Sequence, residues 1–181
     1  MLNIYYWQMV LVITALWCAV RAAVATKNKT ISWKREAQLI LVYICVVVVA
    51  RFTFFPFSKV NGQIQPLVFS AEQVFPVRLN LIPMVNLLDY PNKGEVYLNV
   101  IGNTTMFLPL GIVWPCVFRK LNTHKKAILA GVGVSLLIEI LQLPFYDRVT
   151  DIDDLILNSL GYLAGYGILL LVRTLKKKKT A

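Results

Sequence analysis

The chain has 181 residues, 57% of them apolar, with a mean hydropathy of +0.63 and a net charge of +10. That balance excludes an ordinary water-soluble domain, because too little polar surface remains to face water. It does not describe a nucleic-acid module either: Lys and Arg stand in short blocks between long uncharged runs, not on one face among stacking aromatics.

A helix crossing a hydrocarbon core of about 30 Å needs roughly 20 apolar residues. Five runs meet that need in chain order: 1–20, 37–57 with Arg51 inside it, 96–118, 127–146 with Glu139 inside it, and 155–172. Backbone polar groups in lipid must pair internally and the period-2 alternation of a barrel is absent, so all five are predicted to be helices. The expected fold is an all-α, polytopic integral membrane helical bundle in one membrane domain. Cys18, Cys45 and Cys116 fall inside these runs without metal-ligand spacing and read as small packing residues. Ala23-Val24-Ala25 has the small residues of a signal-peptidase site, but positive charge follows the apolar run instead of preceding it, so the run reads as a retained span.

The loops sort by charge. The first holds Arg21, Lys27, Lys29, Lys34 and Arg35, the third Arg119, Lys120, Lys125 and Lys126, and the tail Arg173 and Lys176 to Lys179, which is 14 of the 19 basic residues. The second loop, 58–95, is balanced, and the fourth has Asp147, Asp151, Asp153 and Asp154 against Arg148 alone. Short cytoplasmic loops retain positive charge, so the expected orientation is N-out and C-in. Pro66, Pro76, Pro83 and Pro91 break helix in the second loop, whose Leu67-Val68-Phe69 and Leu79, Leu81 and Ile82 suit the outer membrane interface.

With directions assigned, the helical rise of 1.5 Å per residue gives depths. Arg51 and Glu139 lie roughly 9 to 11 Å below the outer boundary, near enough in height to meet; Asn99 and Asn103 lie at about 5 to 10 Å, and Gln142 and Asn158 at about 5 to 6 Å. Residues three or four apart share a helix face, which groups Glu139 with Gln142, Asn99 with Asn103, and Asp151, Asp154 and Asn158 with Gly161 and Gly165. Charged groups at membrane depth face a bundle interior or a wet cavity. One outward-opening polar pocket is therefore expected, with Arg148 and Arg51 suited to a phosphate or carboxylate and the acids to an amine or hard cation. Interhelical hydrogen bonding by the asparagines and an Arg51–Glu139 lock are the plainer uses of the same residues. Thr150 is expected to cap the last helix with Asp153 at its third position. Gly161 and Gly165 have the spacing of close helix packing, and Pro109, Gly111, Pro115 and Pro144 are placed to bend the third and fourth spans. The lone His124 reads as a solvated loop residue.

The order of these residues resembles the VanZ-like family over about 80–167. Asn80-Leu81-Ile82-Pro83-Met84 is similar to its Asn-Leu-Ile-Pro-Phe segment, with Met for Phe. Gly102-Asn103 followed by Phe107, Pro109 and Gly111 resembles its Gly-Asn and Phe-x-Pro-x-Gly. Ser135, Glu139, Gln142, Arg148, Asp151, Asp154, Asn158, Gly161 and Gly165 follow its Ser…Glu-x-x-Gln…Arg…Asp…Asp…Asn…Gly block. The resemblance implies a multi-pass protein of the bacterial cytoplasmic membrane, in a family named for glycopeptide (teicoplanin) resistance. It adds Asn80 to the site candidates and Gly102 to the packing glycines.

The leading expectation is a non-enzymatic pocket for the headgroup of an envelope lipid or lipid-linked cell-wall precursor. Its partners are membrane lipids, with no nucleic acid, cofactor, metal or catalytic residue assigned. The alternatives are an intramembrane hydrolase or transferase using Glu139, Asp151 or Asp154 on a lipid-linked substrate, and a small transporter or flippase, for which no inverted repeat is visible.

Overall fold

The computed structural model describes all residues except 29–31, 57–58, 77, 86–91, 119, 122, 147 and 181. Of the residues used above, Lys29, Pro91, Arg119 and Asp147 lie outside that description. Among the described residues five long helices form: α1 (Tyr6–Asn28), α2 (Trp33–Phe54), α3 (Lys93–Val117), α4 (His124–Gln142) and α5 (Ile152–Thr180). Four of them, all but α4, are long and apolar enough to cross a membrane. At 19 residues α4 spans about 28 Å, but Lys125, Lys126 and Glu139 dilute its apolar stretch. The architecture is an all-α polytopic membrane bundle.

The helix ends differ from the expected spans where short-range chemistry intervenes. The first helix starts at Tyr6, because β1 (Leu2–Ile4) pairs antiparallel with β2 (Leu67–Phe69). The fourth ends at Gln142, so Pro144 terminates it and bends nothing: proline has no N–H to extend the ladder, and the Leu143 and Phe145 amides turn to carbonyls three residues back. The long second loop is more ordered than its prolines suggest. It holds β2, a 3-10 turn (Ala71–Val74) and β3 (Leu79–Asn80), which runs parallel to β4 (Thr150–Asp151). Arg78 fastens it further, donating to the carbonyls of Tyr146 at 2.7 Å and Phe145 at 2.8 Å.

At the heart of the bundle α3 and α5 lie backbone to backbone. Gly161 sits on the Thr104 carbonyl, Gly165 on that of Leu108, and Gly111 on that of Tyr162. Omitting a side chain is what lets two helices approach this closely, the main source of attraction where lipid offers no hydrophobic drive. Gly102 is different: half-buried, it lies in an apolar groove with Val48, Phe52 and Ile101. Phe55, Phe107, Leu110 and Tyr162 complete the core. Helix α1 is peripheral, held to α2 by Thr14 Oγ1 and Tyr43 OH at 2.7 Å and by an Arg21–Glu36 ion pair.

Because successive helices reverse direction, two sets of ends form. At one end Arg35 donates to the Val117 carbonyl and Arg173 to that of Pro115. His124 belongs to this end and is no loop residue: it opens α4, and its Nδ1 lies 3.0 Å from the Tyr166 hydroxyl. The other end carries the loop and the polar residues.

Candidate functional site

At the loop-bearing end, the C-termini of α2 and α4 meet the N-termini of α3 and α5. Helix termini leave backbone groups unpaired, and here polar side chains take them up. Gln142 donates through Nε2 to the Thr53 carbonyl at 2.5 Å, joining α4 to the C-terminal end of α2. Glu139, 2% exposed, accepts the Asp151 N–H on Oε2 at 3.0 Å, while its own carbonyl accepts Thr150 Oγ1 at 2.9 Å. Asn103 donates to Asp154 Oδ1 at 2.5 Å and lies 3.3 Å from Asn99 Oδ1, one turn away on α3. Asn158, 1% exposed, donates to Ser135 Oγ at 3.2 Å.

These groups surround a cavity of about 510 Å³ lined by Thr53, Glu95, Asn99, Asn103, Glu139, Gln142, Arg148, Asp154 and Asn158, with Phe52, Pro56 and Leu98 as apolar walls. Seven of the ten pocket candidates named from the sequence line it. The other three sit beside it in supporting positions.

Arg51 does not meet Glu139. Its guanidinium bonds the Phe55 and Pro56 carbonyls at 3.3 and 3.0 Å, just past the end of its own helix, and lies over the Tyr6 and Phe52 rings. A cation at a helix C-terminus satisfies orphan carbonyls and opposes the negative dipole end. Equal depth placed the two charges at one height; it carried no information about which way around the helix Arg51 points.

Asp151, not Thr150, caps α5: its Oδ1 accepts the Asp153 N–H at 2.9 Å. The same oxygen accepts Asn80 Nδ2 at 3.1 Å, and Asn80 Oδ1 takes the Ile82 N–H at 3.3 Å. Asp153, buried, receives the Met84 N–H on both carboxylate oxygens, at 2.8 and 3.0 Å, with Met84 at φ +67°. The 80–84 segment is thus a turn whose polar groups lock it onto the start of α5. Asn80→Ala and Asp151→Ala are each expected to cost about 1 kcal/mol, and the double variant clearly less than their sum, because the two residues share one interaction. Thermal unfolding of the four proteins in detergent measures this.

Three contributors have roles that the sequence did not signal. Thr53 serves through its backbone carbonyl, which any residue has. Arg78 reads from sequence as a loop cation. Ser135 stood in the motif block, yet its role as the partner of Asn158 appears only when α4 and α5 are packed.

A family model described as VanZ/LLP1 matches residues 40–173, more than half of the chain. The chain belongs to the VanZ/LLP1 family. The match begins well before the 80–167 region that carries the motif resemblance, and takes in most of α2, the helix whose end closes the cavity. No curated protein and no solved structure matches. In this VanZ/LLP1 protein the motif residues outside the helix-packing positions serve two places. Asn80, Met84 and Asp151, together with Asp153 from outside the motif, build the turn over the α5 start, whereas Asn103, Glu139, Gln142, Arg148, Asp154 and Asn158 face the cavity.

Proposed function

We propose that this VanZ/LLP1-family membrane protein binds the headgroup of an envelope lipid, or of a lipid-linked cell-wall precursor, and thereby contributes to teicoplanin-type glycopeptide resistance. It does so in the bacterial cytoplasmic membrane with the cavity facing outward, N-out and C-in. The observation that carries the reading is the adjacency of a polar and an apolar space. The cavity shares Phe52 and Leu98 with an apolar groove of about 500 Å³ between α2 and α3. A molecule with a charged head and hydrocarbon tail fits both without burying a charge in lipid or exposing a chain to water. The orientation rests on Lys34, Arg35, Lys120 and the lysine tail, which gather at the opposite end and match the positive-inside bias.

The test is the lipid that co-purifies with the protein. Wild type is expected to retain a defined lipid through detergent extraction, and Glu139→Gln to retain it at less than about a tenth of that level, a loss of over ~1.4 kcal/mol in binding. Equal retention of the same lipids by both proteins would sink the reading.

A further inference from the structure

Resting on the headgroup reading, the balance of donors and acceptors in the cavity narrows the ligand further. Asn158 is almost fully buried and spends its amide N–H on Ser135 Oγ, which leaves Oδ1 without a hydrogen-bond partner. Glu139 and Ser135 stand one turn apart on α4, opposite Asp154 and Asn158, one turn apart on α5. Of the Glu139 carboxylate, Oε2 takes the Asp151 amide, and Glu139 and Asp154 both line the cavity. Two carboxylates and an unpaired amide oxygen therefore converge on one cavity. A buried acceptor left without a donor is costly, so a site of this kind favours a ligand that brings donors.

We infer that the cavity recognises a primary ammonium group, hydrogen-bonded by Glu139, Asp154 and Asn158, on a ligand whose neighbouring phosphate lies toward Arg148. A primary ammonium carries three N–H donors on one positively charged centre and matches this acceptor set in number and sign. A quaternary ammonium has no N–H to give and is held instead by several aromatic faces, whereas Phe52 is the one aromatic ring among the described lining residues. An anionic headgroup without an amine brings no cation to the two carboxylates, which share a single Arg148 among the lining residues. Arg148 lines the same cavity and supplies the complementary positive charge for a phosphate. An amine-bearing phospholipid and the side-chain amine of a lipid-linked precursor share this chemistry.

The test uses the full chain in detergent with phospholipids of identical tails bearing ethanolamine, choline or glycerol heads, each displacing a tail-labelled ethanolamine lipid. The ethanolamine lipid is expected to bind at least about tenfold tighter than the choline and glycerol lipids. Glu139→Gln and Asn158→Leu, checked for unchanged thermal unfolding, are expected to shrink that preference to about threefold or less, while Glu72→Gln, on the 3-10 turn, leaves it intact. Displacement by a soluble lysine-terminated peptide assigns the amine to a precursor; no displacement assigns it to a lipid. Three headgroups that bind equally and weaken together in Glu139→Gln would overturn the ammonium assignment and leave the headgroup reading standing. Binding of every lipid unchanged in both cavity variants would overturn both.

Discussion

Gly161→Ala and Gly165→Ala are each expected to destabilise the protein by about 1 to 3 kcal/mol, and the double variant to fail to accumulate in the membrane. A Cβ on Gly161 would fall far inside contact with the Thr104 carbonyl, and one on Gly165 inside contact with that of Leu108. Both obstacles are backbone atoms in the middle of α3 and cannot rotate away as a side-chain tip would. The helices must separate, and the Asn103–Asp154 bond that joins them across the cavity is strained with them. Gly133 and Gly167 supply the controls. Nothing lies within 4 Å of a Cβ at either position, so alanine there is expected to be neutral or to add up to about 1 kcal/mol through better helix propensity. Thermal unfolding in detergent and membrane abundance by immunoblot distinguish the two pairs. Equal behaviour of all four single variants would show that the α3–α5 approach is looser than described.

On the proposed resistance role, Glu139→Ala and Asp154→Ala are expected to abolish protection against teicoplanin, bringing the inhibitory concentration for a susceptible host to within about twofold of the empty vector, with membrane abundance retained. Glu139 has two roles to lose: it faces the cavity, and its Oε2 holds the Asp151 amide at the start of α5. Glu139→Gln keeps an oxygen for that amide and removes the charge, so it isolates the first role from the second. Asp154→Asn does the same for the contact with Asn103, where an amide replaces a carboxylate as the acceptor. Full protection by stably inserted Glu139→Ala and Asp154→Ala proteins would count decisively against the cavity as the seat of resistance.

Burial also explains why these effects should exceed those of most surface changes. Glu139 and Asn158 are almost completely enclosed by protein, so water does not step in when their partners are removed. Asn80 and Asp151, part-buried at the rim, have milder expected effects because solvent can replace a lost hydrogen bond there.

What the amino-acid sequence determined by itself was the solvent and the layer. Long uncharged runs demand lipid, backbone pairing in lipid demands helices, and the 1.5 Å rise turns sequence position into depth, so Asn99, Asn103, Glu139, Gln142 and Asn158 were legible as one stratum. The GxxxG spacing of Gly161 and Gly165 likewise foretold a close helix contact, though not that α3 was the partner.

Only the tertiary structure decided direction around each helix and the fate of each backbone group. Depth along an axis says nothing about azimuth, which is why Arg51 shares a height with Glu139 yet bonds the Phe55 and Pro56 carbonyls. The cap of α5 passed from Thr150 to Asp151 because the Thr150 hydroxyl is spent on the Glu139 carbonyl of α4, while the 79–84 segment, from about 70 residues away along the chain, fixes Asp151 through Asn80 and Asp153 through the Met84 amide. Local propensity ranks the residues able to cap a helix, but the choice among Thr150, Asp151 and Asp153 depends on which distant donors the fold delivers to them.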